Sequence, residues 1–389
     1  MTYKVPLVRD TISKDEIDRL ISWLGTYPRL TKGENTVKFE DEWSAWNKTP
    51  HSIFVSSGSA ANLAAFYALI ISGKLKNKRV ILPAVSWATT VAPAIQLGLE
   101  PVLCDCNLQN LGLDIDHLNR LMKEHDPALI VTVNVLGFSN DYAEIQEICK
   151  SSGAMLIEDS CESIGTSYMG KKTGNFGDVS TFSFYYGHHM STIEGGMVCS
   201  SDPELEQLLK SIRCHGWDRD LNDSTQRDYR NKHGIDDFRA LYTFYHPGFN
   251  MRCTDLQAFL GLQQLMKIDK IVDARQKNFN DYCELLPIEW GLDVRNHDLV
   301  SNFAYPVIVD SPSLVAKKLS EAGVESRPLI CGSISRQPFW YERYGKTKLP
   351  NADLVHDFGM YLPNNPDMSR EEIEYISSFV REHQQSIKR

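Results

Sequence analysis

The chain has 389 residues and carries 41 Lys and Arg against 50 Asp and Glu, a formal net charge of −9. That balance excludes nucleic acid as the main partner, because phosphate backbones are bound by dense Lys and Arg surfaces, while a local pocket for small anions stays open. The length exceeds one ordinary domain, the 42% hydrophobic fraction leaves ample interior for a core, and no apolar run of about 18 residues is present to span a bilayer.

Residues 1–30 read as an N-terminal segment. They open Met1-Thr2-Tyr3-Lys4-Val5-Pro6, without the apolar core of a signal peptide, so a cytoplasmic location is expected. Residues 31–269 read as a large domain. Ile53-Phe54-Val55 leads into a helical run from Ser59, Val80-Ile81-Leu82 into one from Trp87, and Pro101-Val102-Leu103-Cys104 into one from Ile115. Ala128 to Val133 and Ala154 to Ile157 continue the series, followed by β-like runs at Val179 to Phe184 and Met197 to Ser200. This alternation predicts an α/β fold with a largely parallel sheet flanked by helices and functional residues on loops at strand ends. The stretch from about Asp218 to Asp237, dense in Asp, Asn and Arg, reads as a long surface loop. Residues 270–389, with helical runs at Ser313 to Glu321 and Ser369 to His383 and a strand-like Phe303 to Val309, read as a smaller α/β domain. The nine cysteines are odd in number and lack framework spacing, and Cys104-Asp105-Cys106 is too tight for a zinc knuckle. Reduced thiols and no bound metal are expected.

Several short segments carry potential chemistry. Ser56-Ser57-Gly58-Ser59-Ala60-Ala61-Asn62 closes a strand and opens a helix, which suits either an N-cap or an anion held on free backbone N–H groups. Trp87 follows Leu82-Pro83-Ala84-Val85-Ser86 and, taken alone, reads as core. Leu156-Ile157-Glu158-Asp159-Ser160-Cys161-Glu162 sets carboxylates just past a buried strand. Further on stand Ser183-Phe184-Tyr185-Tyr186-Gly187-His188-His189-Met190-Ser191-Thr192-Ile193-Glu194-Gly195-Gly196, His215-Gly216-Trp217-Asp218-Arg219 and Gly248-Phe249-Asn250-Met251-Arg252.

In this order and spacing the segments resemble the DegT/DnrJ/EryC1 family of sugar-nucleotide enzymes over nearly the whole chain. The resemblance implies an aspartate-aminotransferase-like architecture (fold type I) and pyridoxal 5'-phosphate or pyridoxamine 5'-phosphate as cofactor. It implies that Gly58, Ser59 and Ser183 hold the cofactor phosphate, that Trp87 stacks on the ring, and that Asp159 pairs with the ring nitrogen. Glu162 matches a position often filled by Gln that faces the ring hydroxyl. Asn250 becomes a phosphate ligand supplied by the partner subunit of a homodimer with shared active sites.

In that family a lysine six residues before the Glu of Glu-Gly-Gly links to the cofactor; here the position is His188. Imidazole cannot make that link but serves as a base near neutral pH. The segment is similar to the subgroup of 3-dehydratases acting on GDP-4-keto-6-deoxy-D-mannose, where a His-His pair precedes Glu-Gly-Gly. Val85-Ser86-Trp87, Asn134-Val135-Leu136-Gly137 and His215-Gly216-Trp217-Asp218-Arg219 match that subgroup as well. The resemblance therefore implies removal of a C3 hydroxyl in dideoxysugar biosynthesis, with His188 catalytic and L-glutamate as amine donor. His189 reads as structural and Tyr185 and Tyr186 as wall residues, while His215 and Arg219 either face the sugar nucleotide or belong to a packed loop. A conventional sugar aminotransferase and a non-catalytic binding protein are the alternatives. Cys199, Cys214, Cys253 and Cys331 lack the spacing of the iron–sulfur dehydratases.

Overall fold

A computed structural model describes residues 3–286 and 299–382. Strands β1 (His51–Val55), β2 (Arg79–Pro83), β3 (Glu100–Cys104), β4 (Leu129–Val133) and β5 (Met155–Asp159) come first. A small hairpin, β6 (Ser167–Tyr168) and β7 (Lys171–Lys172), precedes β8 (Val179–Ser183) and β9 (Gly196–Ser200). Seven of these form one sheet in the order β1-β9-β8-β5-β4-β2-β3. Only β9 runs antiparallel to its neighbours, pairing Phe54 with Met197 and Phe182 with Met197. The remaining pairs are parallel, for example Val133 with Asp159.

The parallel strands are apolar on both faces because helices cover both, and every residue of β4 and β8 is buried. Since β1, β2, β5 and β8 all point the same way, the chain leaves each at one sheet edge. Ser56 to Ser59, Trp87, Asp159 and Ser183 thus gather there, as ligand sites do in open α/β sheets.

Beyond residue 299, β10 (Ala304–Ile308), β11 (Arg327–Pro328) and β12 (Gly359–Pro363) build an antiparallel sheet in the order β10-β12-β11. The helix Ile268–Leu285 ties the two sheets together. Its Val272 joins a buried cluster with Phe182, Phe184, Phe39, Phe54 and Trp43, while Tyr282 stacks on Tyr305 of β10 at 4.5 Å. The N-terminal segment lies along the smaller sheet: Lys4 and Val5 donate to the Gly323 carbonyl, and Asn365 donates to that of Pro6.

One expectation needs correction. Within the supposed loop from Asp218 to Asp237, residues Asp223–His233 form a helix. None of its residues is buried, so no apolar period marks it. It is specified by its ends: Asn222 caps the Thr225 N–H, Asp223 sits at the positive end of the dipole, Arg230, Lys232 and His233 sit at the negative end, and Gly234 at φ 64° closes it. The helical run placed at Ser369 to His383 is observed as Arg370–Arg381, with His383 outside the described residues. No helix among the described residues is long and apolar enough to cross a membrane.

Phe184 is fully buried against Trp43 (4.9 Å between ring centroids) and Phe39 (5.4 Å), directly before the segment that carries His188. Phe184→Ala is expected to cost about 3–5 kcal/mol in urea unfolding. A loss below about 1 kcal/mol would show that this cluster does not anchor the segment.

Candidate active site

A cavity of about 770 Å³ opens at the common strand edge and is closed on its far side by the smaller sheet. Its lining includes Gly58, Ser59, Trp87, Asp159, Glu162, Ser183 and His188, seven of the ten residues singled out from the sequence. Asn250, His215 and Arg219 are not among them.

The helix Gly58–Ile71 begins at the cavity wall. Ser57 caps it by accepting from the Ala60 N–H at 3.0 Å, and the first-turn N–H groups carried by Gly58 and Ser59 have no intrahelical partner. The N-cap reading of the Ser-Gly-Ser segment is met by Ser57, and the next two residues carry N–H groups placed where an anion could meet them. Glycine is required here by proximity. A Cβ on Gly58 would lie 2.6 Å from the Ser183 Cβ, and one on Gly196 would lie 2.3 Å from the Ser57 carbonyl oxygen.

Side chains alternate along β5, so Glu158 and Asp159 face opposite ways. Glu158 turns from the cavity and accepts from the N–H groups of Gly174 and Phe176 and from Asn134. Asp159 turns into it. One carboxylate oxygen accepts from Asn62 and from Thr90, both at 2.8 Å, and the other from the Cys161 N–H at 3.0 Å. Three donors thus fix the orientation of a carboxyl group that is 2% exposed. Glu162 is also buried and accepts from the Leu136 N–H at 2.8 Å. Burial raises its pKa to about 8, with Asp159 adding to the rise, so at neutral pH its carboxyl is largely protonated and can donate as a Gln would. Trp87 is not core. It is 55% exposed and stands at the N-terminus of the helix Ala88–Gln96.

His188 is half-buried, stacked on Phe303 at 5.5 Å and edge-on to Tyr185. Burial lowers its pKa to about 4; the Ser183 carbonyl and Asp159 act against that shift and Arg275 with it. The imidazole is therefore neutral, with a free electron pair, across the physiological range. His189 is completely buried, its Nε2 3.0 Å from the Ser301 carbonyl, which suits the structural role expected for it. Tyr185 and Tyr186 line the cavity wall.

Arg275 was invisible to the sequence reading. On the helix Ile268–Leu285 it looks like a surface cation, yet it is 3% exposed and donates to the His188 carbonyl at 3.2 Å and to the carbonyls of Asn302 and Asn364. It pins the His188 segment to the smaller sheet. Asn62 and Thr90 were missed as well; Asn62 stands in the quoted Ser-Gly-Ser segment, one helical turn in, which was the available signal. Glu325 and Arg327, also on the wall, had none.

His215 and Arg219 form a separate group with Trp217: the guanidinium sits 3.9 Å from the Trp217 ring and His215 packs on its edge at 5.2 Å. Asn250 is exposed and accepts from Arg252. The surface beside them displays Phe238 and Tyr242, 83% and 75% exposed. Among the described residues no cluster of His, Cys, Asp and Glu could hold a metal ion.

A phosphate cradle, a fixed carboxylate and a stacking indole around one cavity fit a phosphorylated pyridine cofactor. The family model for the DegT/DnrJ/EryC1/StrS aminotransferases matches residues 10–381. The chain belongs to this family. A GDP-4-keto-6-deoxy-D-mannose 3-dehydratase of Yersinia pseudotuberculosis is 31% identical, with 97% of this chain and 98% of that protein covered. The E. coli GDP-4-keto-6-deoxy-D-mannose-3-dehydratase with bound hydrated PLP superposes with a TM-score of 0.88 at 29% identity, covering 97% of this chain and 100% of the other. A crystal structure of GDP-4-keto-6-deoxymannose-3-dehydratase with a trapped PLP-glutamate geminal diamine gives 0.87 at 29% identity, with coverage of 97% and 100%. The fold-type-I expectation is borne out.

The two adjacent histidines give the site a pH signature. Folding lowers both pKa values below the ordinary 6.5, so at mildly acidic pH the unfolded chain binds protons that the fold refuses. Stability contributed this way is intact above pH 6.5 and falls as pH drops toward 4. His189→Asn should remove about one proton from the slope of unfolding free energy between pH 6.5 and 5 in urea titrations. An unchanged slope would contradict the assignment.

Proposed function

We propose that this chain is a 3-dehydratase that removes the C3 hydroxyl of a nucleotide-linked 4-keto-6-deoxy sugar, GDP-4-keto-6-deoxy-D-mannose first among them, using pyridoxamine 5'-phosphate. The observation that carries this reading is a neutral His188 on the cavity wall, where the family's lysine would stand, in a cavity whose described lining contains no lysine. The similarity to named 3-dehydratases over 97% of the chain supports it.

When bound, the cofactor supplies an amine that condenses with the C4 ketone and a ring that stores an electron pair. The side chains do the rest. Gly58, Ser59 and Ser183 hold the phosphate, and Trp87 covers one ring face. Asp159, fixed by Asn62, Thr90 and the Cys161 N–H, keeps a proton on the ring nitrogen. The protonated Glu162 donates to the ring hydroxyl. Neutral His188 removes the proton from the carbon that bears the cofactor's amine, and the C3 hydroxyl departs. Its proton-accepting role contributes typically about 10²–10⁴-fold in rate. The amine is lost as ammonia, and L-glutamate, leaving as 2-oxoglutarate, restores it. Sugar and glutamate thereby give the 3-deoxy sugar, 2-oxoglutarate and ammonia.

An aminotransferase would retain nitrogen in the sugar and needs a lysine at the site. We assign the reaction to the cytoplasm, in keeping with nine unpaired cysteines. We infer further that the active unit is a homodimer in which Asn250, His215 and Arg219 enter the partner's cavity. The exposed Phe238 and Tyr242 beside them suit a buried interface.

Incubation of the protein with L-glutamate and a panel of 4-keto-6-deoxy sugar nucleotides tests the reaction. Ammonia and a C3-deoxy product in equal amounts are expected with the GDP-linked sugar; an amino sugar without ammonia would make the chain an aminotransferase. For the shared site, mixing inactive Asn250→Ala and His188→Asn subunits should restore activity, since one site of the hybrid has both native residues. No recovery after demonstrated subunit exchange would contradict it.

A further inference from the structure

The cavity has an unusual charge balance for what it is proposed to bind. Its described lining carries four acidic side chains, Asp159, Glu194, Glu325 and the largely protonated Glu162, and a single arginine or lysine, Arg327. Both the amino donor and the sugar nucleotide are anionic. The cofactor phosphate has its own cradle at the start of the helix Gly58–Ile71, so within the described lining that the chain itself supplies, Arg327 is the cation that can meet a second anion.

The way Arg327 is held fits that task. It lies on β11, the two-residue edge strand, where it pairs with Tyr361 of β12, itself a wall residue. One guanidinium nitrogen meets the Glu325 carboxylate at 2.5 Å and the other donates to the Ser326 carbonyl at 3.1 Å. The second Glu325 oxygen accepts from the Leu7 N–H at 3.0 Å, and Leu7 and Val8 are wall residues too. The N-terminal segment therefore braces Glu325, and Glu325 orients Arg327. The arginine side chain nevertheless remains 51% exposed, and a guanidinium has five N–H donors arranged to grip two oxygens at once. A residue meant only to close an ion pair with Glu325 would gain little from such exposure.

Resting on the dehydratase reading above, we propose that Arg327 is an anion receptor that the chain supplies to its own cavity. It grips a pair of anionic oxygens on the incoming ligand, either a carboxylate of the amino donor or the diphosphate of the sugar nucleotide, with Glu325 and the Leu7 N–H as its positioning groups.

The test uses Arg327→Gln and Arg327→Lys in the full chain. Calorimetric titration of the pyridoxamine form with L-glutamate and, separately, with GDP reads binding without turnover. Two half-reactions read function: glutamate-driven conversion of pyridoxal to pyridoxamine phosphate, followed by absorbance, and single turnover of the pyridoxamine form with the sugar nucleotide. Loss of a charge-assisted contact is expected to weaken one ligand about 10- to 100-fold in dissociation constant and half-saturation while the plateau rate changes far less. The Lys variant should recover part of the loss. Weakening confined to glutamate assigns the carboxylate, and weakening confined to GDP and the sugar nucleotide assigns the diphosphate. Thermal unfolding close to that of the parent checks that the exposed position leaves the fold intact. Unchanged titrations and half-saturations for both ligands would overturn the proposal. If the parent protein binds these ligands but turns over no sugar, the dehydratase reading fails while the titrations still decide the role of Arg327.

Discussion

The site depends on a contact that leaves no room for a side chain. Gly196, at the start of β9, lies against the Ser57 carbonyl, and Gly58 lies against Ser183, so any Cβ at either position would overlap its neighbour. This double approach locks the start of the helix Gly58–Ile71 to the ends of β8 and β9. Those strands bracket the segment from Phe184 to Gly195, so anion cradle and His188 are set by the same backbone contacts. Phe184 packs the base of that segment into the aromatic cluster, and Arg275 ties its middle to the smaller sheet. The N-terminus of that helix, the His188 segment and the second sheet form one mechanical unit.

Electrostatics then assign roles to groups that position alone would leave equivalent. Asp159 and Glu162 are both buried carboxyls, but the first accepts from three donors, while the second has one N–H donor and a pKa raised to about 8. They become a threefold hydrogen-bond acceptor and a proton donor three residues apart. His188 is kept neutral by burial and by the charge of Arg275 behind it. Burial brings the pKa of Arg275 down to about 9, still high enough for it to stay cationic at neutral pH. A lysine in the same place would be a tether; a neutral imidazole is a base free to turn toward substrate.

Much of this was legible in the sequence, where the physical signal is local. Short apolar runs bounded by turns gave the strands, and β5 ending in Asp159 placed a carboxylate at the sheet edge before any coordinates. His188 stood out through resemblance instead, because the family has a lysine six residues before the Glu of Glu-Gly-Gly. What escaped depends on distance or on the absence of a core. Arg275 lies 87 residues from the carbonyl it holds, and nothing in an amphipathic helix distinguishes a buried arginine from a solvated one. The helix Asp223–His233 buries no side chain and is specified by its caps, which resemble ordinary turn residues. Arg327 stands in a two-residue strand, too short for any period, and its brace comes from Leu7 at the other end of the chain. Asn250, His215 and Arg219 were named from resemblance, and a single subunit leaves them on its surface.

The central claim is that an imidazole replaces the family's lysine as the group that moves the proton. Single-turnover conversion of GDP-4-keto-6-deoxy-D-mannose by the pyridoxamine form of His188→Asn tests it most directly, because Asn keeps polarity and approximate size but accepts no proton near neutral pH. The account predicts retained binding of cofactor and sugar nucleotide with a loss of at least about 10²-fold in the rate of C3 deoxygenation. Deoxygenation at a near-parental rate would contradict it and place the base elsewhere in the cavity.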